Sequence, residues 1–374
     1  MIKLKQYNFK RYQISMLIAV IILVTIGAFL IKQVQTEDEN LFVKQLYGLV
    51  GGIVLIIIVS LIDYHFICKF FIVLYLINLG LLIWVKVDGV TVNFAQRWIG
   101  LKYMMFQPSE LSKIIMILFL AKVFTIFRSK INNAFLIILS FIAMAVPTYL
   151  ILTQTDLSTS MVLMFVFVMI IFAAGLSWKI IFPAIAVGIP GFIALFWYVQ
   201  QDYQKILSHT QQERILSILN QDLYPKIMYQ QTNSIQAIGS GQLYGKRFIE
   251  NALEIRGYHF VPISESDFVF SIAGEELGFI GCCFIIALFA FIIYKCLTTA
   301  KKAPDYLGML ISVGIASMFM FQVFVNIGVA TSILPNTGIP LPFLSSGLSS
   351  LMSGMIAIGI IINIRLQPKK ARNQ

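Results

Sequence analysis

Residues 265–295 read ESDFVFSIAGEELGFIGCCFIIALFAFIIYK, and this stretch combines the two features that decide the fold. Its later part, 277–294, contains no charged residue and approaches the length of about 20 apolar residues that crosses a bilayer as a helix. Its earlier part contains Asp267, Glu275 and Glu276. Ionisable residues at membrane depth are costly and usually serve a function. We therefore predict a transmembrane helix that begins with functional groups or with a buried polar network.

The whole chain shares this apolar character. Of its 374 residues, 59% are hydrophobic and 12% are charged, whereas soluble domains have about 25% charged residues. The pattern predicts an all-α integral membrane protein of about ten transmembrane helices, in a single polytopic domain over residues 1–374. The predicted spans are 12–31, 46–62, 69–85, 109–127, 132–152, 160–176, 178–200, 267–295, 305–327 and 347–364.

The basic residues orient these spans. The net charge is +11, and most of the excess lies in short loops next to helices. If the N-terminus is inside, the inner segments carry far more Lys and Arg than the short outer loops, as the positive-inside rule requires. An even number of spans then places both termini in the cytoplasm. No nucleic-acid partner is expected, because no soluble segment has a basic stripe with interleaved aromatic residues.

One polar segment, residues 201–266, separates the seventh and eighth spans. It has too few apolar residues for a core of its own, so we predict a large extracellular loop within the membrane domain. Loops longer than about 15 residues in compact structures are usually functional or disordered. Short helical patterns and the turn Gly239-Ser240-Gly241 favour a functional loop.

Four polar stretches occur where a membrane would normally exclude them. They are QPSELSK (107–113), QTDLST (154–159), the acidic stretch 265–278 and the proline-rich NIGVATSILPNTGIPLPF (326–343). Glu110 and Lys113 are three residues apart and are predicted to pair on one helix face. The prolines of the last stretch forbid a regular helix, and irregular backbone at membrane depth survives only when protein covers it or when it lines a wet cavity. All four stretches lie on the outer side of the predicted topology, which predicts that they converge on one outward-facing cavity.

The four cysteines lie in or beside apolar segments, and their spacing is not that of a metal site. They are Cys68, Cys282, Cys283 and Cys296. We interpret them as small buried apolar residues and predict neither a metal site nor a disulfide framework.

Several motifs together resemble the SEDS proteins (shape, elongation, division and sporulation), typified by RodA, FtsW and SpoVE. They occur in the family's order between residues 95 and 365, and the spans between them match in hydropathy. The matching stretches are AQRW (95–98), FQPSELSK (106–113), QTDLSTSMVL (154–163), SIQAIGSGQLYGK (234–246), SDFVFSIAGEELGFIG (266–281) and NIGVATSILPNTGIPLPFLSSGLSSL (326–351).

The resemblance implies a SEDS-type fold and a peptidoglycan glycosyltransferase. Such enzymes polymerise lipid II, a disaccharide-pentapeptide on undecaprenyl diphosphate, at the outer face of the bacterial cytoplasmic membrane. They work with a class B penicillin-binding protein, which supplies transpeptidation. The role in cell shape, division or sporulation stays open.

The family's essential acidic residue precedes Phe in an HTDF-like motif, and that position here is Asp267. Glycosyl transfer needs a base for the acceptor hydroxyl, and desolvation at a membrane boundary raises the pKa of a carboxylate toward that task. We therefore predict Asp267 as the catalytic base. A divalent cation, Mg²⁺ or Mn²⁺, could assist the departing diphosphate. The residues predicted to bind substrate are Arg97, Glu110, Lys113, Asp156, Arg214, Lys246, Glu275 and Glu276, with Arg247 as a further candidate for the diphosphate.

The chain departs from the family pattern at several positions. Glu265-Ser266 replaces the His-Thr of HTDF, and Thr155 and Ser158 replace the Pro and Gly of QPDLGT. The family's ISYGGSS becomes Leu344-Ser345-Ser346-Gly347-Leu348-Ser349-Ser350, and Met105 stands where a basic residue is common. The acidic residues are kept, which favours retained activity with substrate handling or partner choice left open.

Two other functions fit the same composition. A ten-helix protein with an outward cavity could move lipid-linked precursors across the membrane. Alternatively, a non-catalytic scaffold could recruit a penicillin-binding protein, and its function in cells would then survive the loss of Asp267.

Overall fold

The computed structural model describes residues 7–34, 40–92, 95–101, 104–201, 203–206, 209–219, 223–248 and 256–368. Within these ranges the protein is almost entirely helical, and ten of its helices coincide with the ten predicted spans. The helices are α1 (Ile14–Val34), α2 (Leu41–Leu61), α3 (Tyr64–Lys69), α4 (Phe71–Asp88), α5 (Pro108–Ile126), α6 (Ala134–Thr153), α7 (Leu157–Ala173), α8 (Trp178–Val199), α9 (His209–Leu219), α10 (Pro225–Ser240), α11 (Val269–Lys302), α12 (Tyr306–Ala330) and α13 (Leu348–Leu366). The prediction of a helical membrane protein with about ten spans is confirmed.

Apolarity and burial differ among these helices. Eight of the described helices are long and apolar enough to cross a membrane, and α7 is a shorter apolar helix. Helices α12 and α13 are mostly buried, whereas only Val199 of α8 is buried. Helix α8 also contains Pro183 and Pro190, each of which removes a backbone donor from the helix. The bundle therefore has a packed centre at α12 and α13, and α8 is the most exposed of the candidate spans among the described helices.

One element of the bundle end that carries the polar stretches is not helical. A three-stranded antiparallel sheet is formed by β1 (Val90–Val92), β2 (Ala95–Leu101) and β3 (Met104–Phe106) between α4 and α5. Val90 pairs with Trp98, and Ile99 pairs with Phe106. The all-α prediction missed this sheet because its strands are shorter than any hydrophobic span. The sheet determines where Arg97 lies, because β2 carries this residue.

Helix α11 is broken within its predicted span. Gly278 has φ 65° and ψ −168°, a conformation that only glycine adopts without strain. The break frees two backbone donors, and a turn of the long loop receives them: the N–H of Phe279 donates to the carbonyl of Gln242 at 2.9 Å, and that of Ile280 donates to Leu243 at 3.2 Å. The long loop is thus hydrogen-bonded into a transmembrane helix.

The long loop contains regular structure of its own, as its sequence predicted. Helix α10 is fastened to the end of α12 by side chains that donate to backbone carbonyls. Gln231 Nε2 donates to Val329 at 3.0 Å and to Leu334 at 2.8 Å, and Ser234 Oγ donates to Ala330 at 2.7 Å. Two of these carbonyls, Val329 and Ala330, belong to the last turn of α12, where carbonyls lack helical partners, and the third belongs to Leu334 just after it.

The opposite end of the bundle is tied by a histidine between two aspartates. His65 lies 2.8 Å from Asp63 through Nδ1 and 2.5 Å from Asp305 through Nε2. Both ring nitrogens donate only in the protonated imidazole. Burial lowers the pKa of His65, but the bonds to Asp305 and Asp63 outweigh this effect and raise it above 6.5. Burial likewise raises the pKa of each aspartate, but hydrogen bonds from His65 and neighbouring groups bring both below 3.8.

The ion pairs of His65 with Asp63 and Asp305 predict that the stability of the protein depends on pH. A raised histidine pKa stabilises the fold fully below 6.5 and loses its effect as pH rises through the folded-state pKa, while the lowered aspartate pKa values lose theirs in acid. We expect His65→Gln to lower the melting temperature of the purified protein most near pH 6 and least near pH 9. His259→Gln, at an exposed histidine, is the matched control. An equal effect of His65→Gln on the melting temperature at every pH would contradict the ion pairs of a protonated His65.

Candidate active site

A polar cavity of ≈ 210 Å³ lies at the end of the bundle where α5, α7 and α11 begin. Strand β2, helices α9 and α10 and the irregular segment after α12 contribute the rest of its wall. All four polar stretches of the sequence reach it, as predicted. The lining residues are Arg97, Trp98, Gln107, Glu110, Asp156, Thr159, Arg214, Gln230, Ile263, Ser266, Asp267, Asn336, Thr337, Gly338, Pro340, Gly347 and Ser350.

Asp267 lines this cavity just before α11 begins. Burial raises its pKa above the usual range, against the hydrogen bond from Ser266 and the charges of Arg97 and Arg214. Ser266 Oγ donates to the carboxylate at 3.0 Å. A Cβ at Gly338 would come within 3.2 Å of the same carboxylate, so the glycine keeps space open beside it. A half-buried carboxylate with a raised pKa is suited to general base catalysis.

The backbone around Asp267 is held by the irregular segment that follows α12. Asn326 Nδ2 donates both to the carbonyl of Asp267 at 2.8 Å and to that of Ile339 at 2.7 Å. Ser345 Oγ donates to the carbonyl of Ser266 at 2.5 Å. These bonds join the two chain segments that face each other across the cavity, which fixes the position of the carboxylate.

Arg97 is anchored by the turn that precedes α7. Its Nη2 donates to the carbonyl of Thr155 at 2.6 Å, and its Nε donates to Gln154 at 3.3 Å. Thr155 has φ 62°, so the departure from Pro at this family position is accompanied by a left-handed turn. The guanidinium is thereby placed in the cavity wall with part of its donor capacity already used.

Arg214 lines the cavity from a different element, helix α9 of the long loop. Burial and the neighbouring charge of Arg97 lower its pKa, while Asp267 raises it. Both guanidinium groups and the carboxylate line the same cavity. Of the predicted catalytic and substrate-binding residues, Arg97, Glu110, Asp156, Arg214 and Asp267 line this cavity.

Two further carboxylates in the wall are already satisfied by the protein. Asp156 caps α7 by accepting from the N–H and the hydroxyl of Thr159 at 3.0 and 2.9 Å. Glu110 pairs with Lys113 at 2.8 Å, and both side chains are at most 3% exposed. The predicted i, i+3 pair is confirmed, and it places Lys113 behind Glu110.

Lys246, Glu275 and Glu276 form a separate polar cluster and do not line the cavity. Glu275 accepts from Lys246 Nζ at 2.6 Å and from the backbone N–H groups of Gly257 and Tyr258 at 2.8 and 2.9 Å. Glu276 pairs with Arg256 at 3.2 Å and accepts from the Tyr258 hydroxyl at 3.0 Å. These contacts attach the long loop to α11.

The turn Gly239-Ser240-Gly241 also serves packing. A Cβ at Gly241 would stand 2.0 Å from the carbonyl of Gly274, so this glycine permits close approach of the loop to α11. The turn does not line the polar cavity. The structure places Gly239 and Ser240 in the last turn of α10 and Gly241 at its C-terminal end.

The sequence interpretation missed several polar residues of the cavity wall. Asn336 donates to Gln230 at 2.6 Å, which connects the irregular segment to α10. The hydroxyl of Thr337 is buried with no hydrogen-bond partner among the described residues. Neutral amides and hydroxyls carry no charge signal in the sequence, so only their position within irregular backbone could have indicated them.

The described residues contain no group of three or more His, Cys, Asp or Glu side chains arranged for a metal ion. Of the cavity carboxylates, Glu110 is committed to Lys113 and Asp156 to its own helix. The donor set does not fit Mg²⁺ or Mn²⁺, and no catalytic step is assigned to a metal.

Known proteins place this architecture in a family. A model of cell cycle proteins of the FtsW, RodA and SpoVE type matches residues 8–370. The peptidoglycan glycosyltransferase MrdB of Escherichia coli K12 is 30% identical over 95% of this chain and 94% of its own length. Stage V sporulation protein E of Bacillus subtilis is 32% identical over 93% and 95%.

Solved structures agree with the sequence relatives. RodA of Thermus thermophilus superposes with a TM-score of 0.68 at 25% identity and covers 96% of each chain. A chain from a peptidoglycan synthase complex, in which polymerization and crosslinking are coordinated, gives 0.78 at 27% identity over 95% and 97%. This chain therefore belongs to the FtsW, RodA and SpoVE family, the SEDS family that its motifs resemble.

Proposed function

We propose that this protein is a peptidoglycan glycosyltransferase that polymerises lipid II. The observation that carries the proposal is the placement of Asp267, a carboxylate with a raised pKa, in one cavity with Arg97 and Arg214. A base and two cations are the groups that transfer of a glycosyl diphosphate requires. The names of the similar MrdB and FtsW proteins support the same reaction.

In the proposed reaction, Asp267 removes the proton of the acceptor sugar hydroxyl. The hydroxyl oxygen forms a bond to the anomeric carbon of the donor with inversion. The bond from that carbon to the diphosphate breaks, and undecaprenyl diphosphate leaves with the electron pair. Arg97 and Arg214 stabilise the charge that develops on the diphosphate, because fixed cations in a site of low dielectric need no reorganisation during the reaction.

Glu110 and Asp156 line the same wall, and we assign them contacts to the sugar or to its bound water. The ion pair with Lys113 holds the Glu110 side chain in position. Lys246, Glu275 and Glu276 hold the long loop against α11, and this attachment supports the cavity without requiring contact with substrate.

The reaction is assigned to the outer face of the bacterial cytoplasmic membrane, with both termini inside. Support comes from the basic residues at the other end of the bundle. Helix α5 begins at the cavity and is followed at its far end by Arg128–Lys130, and α11 begins beside Asp267 and ends at Lys302. The positive-inside rule places those ends in the cytoplasm.

A class B penicillin-binding protein is the proposed partner. The similarity to a chain of a peptidoglycan synthase complex supports this assignment. An apolar groove of ≈ 360 Å³ between α11 and α12 is a surface on which a partner's transmembrane helix could pack. Phe324 and Ile286 in this groove are 64% and 41% exposed.

Asp267→Asn tests the base directly, because it keeps the shape and removes the proton acceptor. We expect polymerisation of lipid II to fall by at least about 100-fold in a gel-based glycan assay with the cognate partner present. Asp88→Asn changes an exposed aspartate at the end of α4 and is the matched control. Normal glycan synthesis by Asp267→Asn would exclude the proposed base.

The same variants distinguish the transport alternative. Labelled lipid II in vesicles would cross the bilayer with the wild-type protein and fail to cross with Asp267→Asn if transport were the function. We expect no transport that depends on this carboxylate.

Arg214→Ala should raise KM for lipid II and lower kcat by about 10-fold or more, since a charged donor to the departing diphosphate is lost. Arg214→Lys should recover part of the activity, because the charge is kept without the bidentate geometry. Lys205→Ala, an exposed cation of the same loop, should leave the rates unchanged. A neutral effect of Arg214→Ala would remove this residue from the diphosphate site.

Glu275→Ala tests whether Glu275 attaches the long loop to α11 or binds the substrate. Loss of one partner from a buried ion pair costs about 3–5 kcal/mol, so we expect a lower melting temperature and faster proteolysis within residues 201–266. Lys246→Met combined with Glu275→Leu should recover part of the stability. Wild-type stability and loop protection together with lost polymerisation would instead assign Glu275 to the substrate.

A further inference from the structure

A second, apolar depression lies on the outer surface of the bundle between α1 and α11. It is a groove of ≈ 820 Å³, and a turn of the long loop closes one of its ends. The groove residues are Ile26, Gly241, Gln242, Leu243, Tyr244, Leu277, Ile280, Gly281 and Phe284. No residue of this set lines the polar cavity that contains Asp267.

Backbone contacts between the turn and α11 form one end of this groove. The break of α11 at Gly278 lets the carbonyls of Gln242 and Leu243 accept from the helix. A Cβ at Gly278 would stand 2.3 Å from the backbone nitrogen of Gly245. The turn is therefore already in close backbone contact with α11 at this point.

Large side chains that line the groove are exposed, and both α1 and α11 are apolar enough to cross a membrane. Tyr244 is 64% exposed, and Ile280 and Phe284 are each 51% exposed. A groove lined by such residues gains dispersion contacts when a hydrocarbon chain occupies it. Its occupant is accordingly a lipid chain and not a polar solute.

The side chain of Arg247 lies next to the groove. The guanidinium of Arg247 stacks on the ring of Phe29 at 4.1 Å from its centroid, and Phe29 lies one helical turn along α1 from Ile26. Arg247 is exposed. Among the described residues its neighbours Lys246 and Arg256 are paired with Glu275 and Glu276, whereas Arg247 has no described ion pair.

A stacked guanidinium is a ready donor for a phosphate, which it binds with two parallel hydrogen bonds. A phosphate beside Arg247 would continue directly into a chain in the groove. Because Arg247 does not line the polar cavity, a lipid held here does not present its headgroup to Asp267. This separation favours a membrane phospholipid over a reacting substrate.

We propose that this groove binds one anionic phospholipid from the leaflet on the cavity side. Its phosphate contacts Arg247, and one acyl chain lies along Ile26, Ile280 and Phe284. The bound lipid braces the turn from Gly241 to Gly245, and through Lys246 it supports the attachment of the long loop to α11.

The test is native mass spectrometry of the purified full-length protein titrated with phosphatidylglycerol or phosphatidylcholine. We expect one phosphatidylglycerol to bind about fivefold more tightly than phosphatidylcholine, the effect of one basic residue at a membrane surface. Arg247→Gln should abolish this preference. Arg128→Gln is the matched control, because Arg128 makes the same kind of stack, on Tyr306 at 4.4 Å, at the other end of the bundle.

A second pair of variants tests the chain contact. Ile280→Trp should fill the groove and weaken retention of both phospholipids, whereas Ile193→Trp on the exposed helix α8 should not. Equal binding of the two phospholipids by the wild type, or an unchanged preference in Arg247→Gln, would overturn the proposal. Displacement of phosphatidylglycerol by undecaprenyl phosphate at a lower concentration would also overturn it, in favour of a polyprenyl site.

Discussion

The buried carboxylate of Glu275 is the interaction on which the cavity end of this protein depends. It lies inside a transmembrane helix with no exposed surface, where an unpaired charge is strongly unfavourable. One lysine and two backbone N–H groups of the long loop satisfy it. The charge and the loop are therefore coupled: each keeps the other in place. Beside it, the break at Gly278 adds two backbone bonds to the same attachment.

This attachment explains how a long polar loop contributes to a defined cavity. Helix α10 is held both by its contacts to the end of α12 and by the turn against α11, and it supplies Gln230 to the cavity wall. Arg214 reaches the same wall from α9. On the other side, the strands before α5 supply Arg97. The cavity is thus assembled from elements far apart in sequence, around a carboxylate whose own backbone is fixed by Asn326.

The sequence predicted the features that follow from local rules. Hydropathy located ten spans, and helical spacing predicted the pair between Glu110 and Lys113. Motif order indicated the family and pointed to Asp267. Contacts between residues far apart in the sequence could not be predicted from those rules. Nothing in the spacing of Lys246 and Glu275 shows that they meet, because their contact depends on how the loop folds back.

Two other features were also not predicted from the sequence. The sheet between α4 and α5 consists of strands too short for a periodic signal, and the break at Gly278 lies within an otherwise continuous apolar run. The break is accompanied by long-range hydrogen bonds from Phe279 and Ile280 to the loop, whereas the sheet is formed by local antiparallel pairs. The peripheral position of α8 was also not evident, since an apolar helix reads alike whether lipid or protein surrounds it.

We propose that Asp267 and the two guanidinium groups of Arg97 and Arg214 form one glycosyl transfer site. The most direct measurement is a cryo-electron microscopy structure of the inactive Asp267→Asn protein with lipid II bound. We expect diphosphate density against Arg97 and Arg214, with an acceptor sugar hydroxyl within hydrogen-bond distance of residue 267. Diphosphate density at Lys246 and Arg256, with no sugar in the cavity, would contradict it.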